Sequence, residues 1–262
     1  MDLNAADSVA AHTSVKGTWA WRAKSAYAAA AHGLGKALTA AHILPAQPPP
    51  RQQRIRHWLL SLTKVHDSMA IVELGVPWWT YRAIDAVESW LSHRPRPIRV
   101  FEYGSGASTF WLAERADEVF SVEHHPEFSS LIRPELAKRP NVTFLEVPAV
   151  SMAEPAVSSR KPGSEKLDFT AYVHQIDTVP GDFDLIVVDG RAREACMRAG
   201  AGRLREDGLI VFDNTHRRRY KRAIAASGLI EQVHRGLTPT LPYPDRTSLL
   251  RRPAGRARPD AA

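Results

Sequence analysis

The stretch VFEYGSGASTFWLA, residues 100–113, decides how the rest of the chain is read. An apolar run reaches Tyr103, breaks into Gly104-Ser105-Gly106 and passes at once into Phe110-Trp111-Leu112-Ala113, the pattern of a strand, a tight turn and a helix start. Glycine at 104 and 106 removes the Cβ that would otherwise stand beside the backbone, so main-chain amides there can approach a ligand closely. Two acids frame this turn. Glu102 precedes it by two residues, and Glu123 ends the next apolar run, where a carboxylate is placed to accept the hydroxyls of a ribose.

Outward from the turn, helices alternate with apolar strands. The spacing predicts a helix over 80–91 and strands over 98–103, 119–123, 142–147, 183–189 and 209–213, a parallel α/β pattern. A helix over 217–226, stopped by Gly228, leads to strands over 229–234 and 247–251. That last pair is close enough to form a hairpin, so one antiparallel strand is expected in a mostly parallel sheet. Ahead of the first helix, Thr80 reads as an N-cap. Trp78 and Trp79 read as core, with Trp79 also a candidate to enter a cleft. The excursion over 151–182 has a polar tip and a helical-looking segment over 167–176, fitting a lid or acceptor-binding element.

With 262 residues, 44% of them hydrophobic and 24% charged, the chain can bury one substantial core. The net charge is +7, with basic clusters over 51–56, 217–222 and 251–258. Such clusters suit a solvated surface, nucleic acid, anionic lipid or an anionic substrate. Cys196 is the only cysteine, which excludes an intrachain disulfide and a cysteine metal cluster and fits a reducing, cytoplasmic setting. Its expected place is the buried side of a helix. No run of apolar residues is long enough to span a membrane. Residues 1–50 read as an extension: a small, polar start, an Ala-rich basic helix over 19–43, and a Pro-rich linker over 45–50. That helix suits a membrane surface or targeting, or docking on the main domain or on a second copy in a homodimer. The folded domain is expected over 51–252 and a basic tail over 253–262.

A dinucleotide fingerprint would place glycine where Thr109 stands. The motif Glu102-Tyr103-Gly104-Ser105-Gly106 with Glu123 instead resembles the class I S-adenosylmethionine-dependent methyltransferases, over about residues 75–252. The resemblance implies a Rossmann-like, doubly wound, seven-stranded sheet, mostly parallel with its last strand antiparallel. It implies S-adenosylmethionine as cofactor, its amino-acid end held by Glu102, Gly104, Ser105 and Gly106. Ser108 or Thr109 would cap the following helix or bond the methionyl carboxylate. Glu123 would take the ribose, with His124 and the turn over 148–150 flanking the adenine. His125 reads as a surface or packing residue.

An acceptor hydroxyl needs a base or a metal to become nucleophilic. Asp189 and the pair Asp213-Asn214 follow two strands whose carboxyl ends share the ligand-binding edge of an open sheet. They resemble the divalent-metal ligands of the catechol O-methyltransferase-like branch, which implies magnesium on Asp189, Asp213 and Asn214. Gly190-Arg191 departs from that branch, and many methyltransferases carry an acid at the Asp189 position without a metal. Asp189 and His216 are the candidate bases, though His216 also fits an exposed loop. The expected function is methylation of a small-molecule hydroxyl, on a sugar or a natural-product intermediate. An RNA methyltransferase is the alternative suggested by charge, weakened because Asp189-Gly190-Arg191-Ala192 lacks the Pro-Pro-aromatic sequence of base amino-methylating enzymes. A non-catalytic binding protein that keeps the cofactor fold is the third reading.

Overall fold

The computed structural model describes residue 45, residues 47–64 and residues 72–253; the expected Ala-rich helix and basic tail lie outside the described residues. In chain order the elements are α1 (Arg54–Ser61), α2 (Tyr81–Ser92), β1 (Arg99–Tyr103), α3 (Ala107–Ala113), β2 (Glu118–Glu123), α4 (Pro126–Leu136), β3 (Val142–Glu146), β4 (Val150–Ser151), β5 (Leu167–Asp168), α5 (Thr170–His174), β6 (Phe183–Val188), α6 (Arg193–Gly202), β7 (Leu204–Asp213), α7 (Arg218–Ser227), β8 (Ile230–Gly236) and β9 (Asp245–Arg251).

Seven strands form one sheet in the order β3-β2-β1-β6-β7-β9-β8. Pairing from β3 through β7 is parallel, and β9 runs antiparallel between β7 and β8. All six residues of β6 are buried, as expected of a central strand covered on both faces. Its side chains alternate between two cores. Leu185 and Val187 face the layer of Leu60, Trp79, Ile84 and Leu112, while Ile186 and Val188 face that of Tyr103, Tyr172, Met197 and Phe212. Cys196 lies in the second core with its thiol buried.

Thr80 caps α2, its hydroxyl accepting from the Ala83 N–H at 3.4 Å. On the N-terminal side, Trp58 of α1 donates its indole N–H to the Leu241 carbonyl at 2.8 Å, and Arg51 pairs with Asp85 and Glu88 on α2. That segment is tied to the same body as the sheet.

Three expectations need correction. Strand β7 starts at Leu204, not at 209, because a register shift opposite Phe183 and Leu185 takes up residues 205–208, three of them charged. The segment over 167–176 begins as β5, pairs with β4 and turns helical only at Thr170. Trp79 is fully buried, edge-on to Trp111 at 5.9 Å, and belongs to the core, not to a cleft.

Candidate functional site

The site begins with the turn between β1 and α3. Glu102 is fully buried, and three hydroxyls donate to its carboxylate: Ser108 to Oε1 at 2.5 Å, Thr109 to Oε2 at 2.5 Å and Ser121 to Oε2 at 2.6 Å. Ser105 lies 2.6 Å from Ser121, and since the Ser121 proton goes to Glu102, Ser105 is the donor there. Thr109 also accepts from the Gly106 N–H at 2.9 Å. Glu102, Ser105, Ser108 and Thr109 therefore form one polar brace that fixes the turn against β2. Burial pushes the Glu102 carboxyl up to about 7, against the three hydroxyl bonds that favour its charge.

The two glycines do different work. Gly104 has φ +95°, and a Cβ there would stand 2.6 Å from the Gly190 backbone. It lets the ends of β1 and β6 touch. Gly106 is extended, and a Cβ there would meet nothing within 4 Å. The open volume beside the turn is at Gly106.

Glu123 stands across that opening. Its Oε2 accepts from the Ser105 N–H at 3.2 Å, and its Oε1 from the His124 and His125 N–H groups, each at 2.8 Å. His124 Nδ1 lies 2.7 Å from the same Oε1. Burial alone would raise this carboxyl, yet His124 and the backbone amides outweigh it and hold Glu123 below its ordinary value. The His124 ring packs on Phe169 at 5.6 Å and Tyr172 at 5.7 Å. Burial, then the neighbouring His124, lowers the pKa of His125. The Tyr172 hydroxyl is buried without a hydrogen-bond partner among the described residues. It abuts Gly190, where a Cβ would come within 2.0 Å of it.

At the next strand ends the expected metal ligands do converge, around a side chain that sequence reasoning missed. Arg193, at the start of α6, uses all five of its N–H donors. Nε donates to the Gly190 carbonyl at 3.0 Å; Nη1 to the Asp213 carbonyl at 2.7 Å and Asn214 Oδ1 at 3.0 Å; Nη2 to the Asp189 carbonyl and Oδ1, each at 2.6 Å. Asp213 is held by neutral groups, accepting from Thr247 at 2.7 Å and Asn214 at 2.6 Å. Burial and nearby Asp189 raise its pKa well above the carboxylate range. No group of three His, Cys, Asp or Glu side chains suited to a metal occurs among the described residues. Arg193 thus occupies Asp189 Oδ1 and Asn214 Oδ1, two of the oxygens the expected magnesium would need, while the Asp213 carboxylate is bonded to Thr247 and Asn214.

His216 gains a partner 29 residues away in the chain. Its Nδ1 lies 2.6 Å from Asp245 Oδ1, and Asp245 Oδ2 accepts from Asn214 at 2.9 Å. Asp245 sits at the end of a Pro-rich connection, and only the antiparallel return of β9 beside β7 brings it here.

The glycine turn, the acids ending β1 and β2, and a sheet in the order β3-β2-β1-β6-β7-β9-β8 with its last strand reversed stand together. This is the class I methyltransferase fold. Solved structures to which the chain is similar include precorrin-6y C5,15-methyltransferase from Geobacter metallireducens, 17% identical with a TM-score of 0.43, covering 66% of this chain and 88% of that one. A ribosomal protein L11 methylase from Lactobacillus delbrueckii subsp. bulgaricus is 15% identical, TM-score 0.40, over 71% of this chain and 79% of that one. An rRNA methylase from Streptococcus thermophilus is 10% identical, TM-score 0.43, over 64% and 95%. No protein-family model and no curated protein matches the chain. Among the described residues, no helix is long and apolar enough to cross a membrane.

Proposed function

We propose that the chain is an S-adenosylmethionine-dependent methyltransferase that acts on a hydroxyl of a small molecule. The observation that carries this reading is the open volume at Gly106, set between the braced turn and the Glu123 carboxylate. Bound there, the cofactor supplies an electrophilic methyl group on a sulfonium. The Gly104 to Gly106 backbone would receive its amino-acid end, Glu123 its ribose, and the His124 and Phe169 rings its adenine. Glu102, Ser108 and Thr109 act through the turn, since their polar atoms are engaged with one another.

Proton removal falls to His216. Asp245 accepts from Nδ1–H, which fixes the proton on that nitrogen and leaves Nε2 free to take one from an acceptor hydroxyl. Arg193, not a divalent ion, holds Asp189 and Asn214 in place.

Calorimetry tests the reading. S-adenosylhomocysteine should bind the wild-type chain, Gly106→Val should abolish binding by filling the open volume, and Glu123→Ala should weaken it by about 1 to 3 kcal/mol, the scale of lost hydrogen bonds to a charged group. A chain that ignores S-adenosylmethionine and S-adenosylhomocysteine yet binds NAD would overturn it.

A further inference from the structure

One charged group at the crevice is used by nothing described so far. Arg191 is half-buried, two residues beyond Asp189, and among the described residues its guanidinium makes no hydrogen bond and no ion pair. It follows Gly190, whose backbone packs against Gly104 at the end of β1 and against the Tyr172 hydroxyl, and its charge is felt by Arg193, Glu123, Tyr172 and Tyr220. It thus stands over the ends of β1 and β6, where the strand order reverses and ligands of open α/β sheets bind.

A half-buried guanidinium with no protein partner among the described residues keeps its donors for water or a ligand, and its charge is left unpaired. Neither nearby acid relieves it. Asp189 pairs with Arg193, and Glu123 is shared among the Ser105, His124 and His125 amides and the His124 ring. Burial and the like charge of Arg193 both weaken its hold on its proton.

We infer that Arg191 receives an anionic oxygen group, a phosphate or a carboxylate, carried by the acceptor. The inference rests on the methyltransferase reading for the word acceptor: a sulfonium would add a second positive charge to this crevice, and an anionic acceptor balances both. A planar guanidinium with free donors suits two-pronged binding of either anion. The rim agrees. Arg217, Arg218, Arg235 and Arg246 lie at the same edge of the sheet, and among the described residues none forms an ion pair, so their field favours approach of an anion.

The test titrates inorganic pyrophosphate and citrate into the full chain by calorimetry, with and without saturating S-adenosylhomocysteine. One of the two should bind, and which one assigns the group as phosphate or carboxylate. Arg191→Gln should weaken that binding about tenfold or more, as loss of a charge-assisted bond does, with Arg191→Lys between the two, while S-adenosylhomocysteine affinity stays within about threefold. The inference is overturned if neither anion binds, if binding survives Arg191→Gln, or if Arg191→Gln abolishes S-adenosylhomocysteine binding instead, which would assign the arginine to the cofactor. Arg191-dependent anion binding by a chain that does not take up S-adenosylhomocysteine would sink the methyltransferase reading and leave the anion site standing.

Discussion

The two edges of the sheet handle buried charge in opposite ways. At the amino edge, Asp184 at the start of β6 is almost fully buried and both of its oxygens are occupied. Oδ1 accepts from Arg94 at 2.8 Å and from Arg205 at 2.8 Å; Oδ2 accepts from Arg205 at 2.7 Å and from the Arg99 N–H at 2.9 Å. Arg94 also reaches Asp207, and Arg99 reaches Glu118 at 2.7 Å. Each of these arginines has an acid, and nothing is left over to bind a ligand. At the carboxyl edge Arg193 is equally well satisfied, but around it the Arg191 guanidinium, the Tyr172 hydroxyl and His216 Nε2 have no partner among the described residues. Matched buried charge holds the amino edge together, and the free polar groups at the carboxyl edge are the ones a ligand could engage.

The strongest way to break this contrast is to unmatch the amino edge. Asp184→Asn leaves two arginines facing a neutral amide, and removing one partner of a buried pair costs about 3 to 5 kcal/mol. Chemical denaturation should show that loss, while molecules that remain folded bind S-adenosylhomocysteine as before. A variant as stable as wild type would show that the amino-edge cluster contributes nothing net.

A second effect separates Glu102, which braces the turn, from the salt-bridged acids. Its carboxyl is raised from 4.5 to about 7, so between those values the folded chain keeps a proton that the unfolded chain has released. The native state then binds more protons, and stability falls as pH rises from about 4.5 to about 7, with no contribution from this group to the slope on either side. The shift corresponds to roughly 3 kcal/mol at full extent. Glu102→Gln removes the titration, so the stability difference between variant and wild type should move in the variant's favour across that window. A difference that stays constant with pH would place the Glu102 pKa near that of the unfolded chain.

What could be read from the sequence, and what could not, follows the same division. Periodicity located all seven strands of the main sheet, because a short apolar run bounded by turn residues is a local signal, strongest in the fully buried β6. It missed the first half of β7, where Arg205-Glu206-Asp207-Gly208 carries no apolar pattern, and the short pair β4 and β5, which two residues each cannot announce. The glycine turn and its acids were visible because they are consecutive or end adjacent strands. Arg191, Arg193, Tyr172 and Asp245 were not, since only the sheet's strand order brings them to one edge. The three oxygen-bearing residues expected to hold magnesium do meet. Sequence spacing showed that they would converge and could not show that Arg193 sits among them.

Magnesium tests that convergence directly. If the carboxyl edge resembles the amino edge in using arginine as its internal cation, a divalent ion binding through Asp189 Oδ1 and Asn214 Oδ1 must compete with a guanidinium that makes five hydrogen bonds. Binding at a hundred times the dissociation constant would stabilise the fold by about 2.7 kcal/mol and raise the melting temperature by several degrees. Millimolar magnesium or excess EDTA should instead shift the wild-type melting temperature by less than about 1 °C, within the range that weak, nonspecific ion effects produce. A rise of several degrees with magnesium that disappears in Asp213→Ala would show that an ion binds at this edge, and the assignment of Arg193 as its sole resident cation would fall.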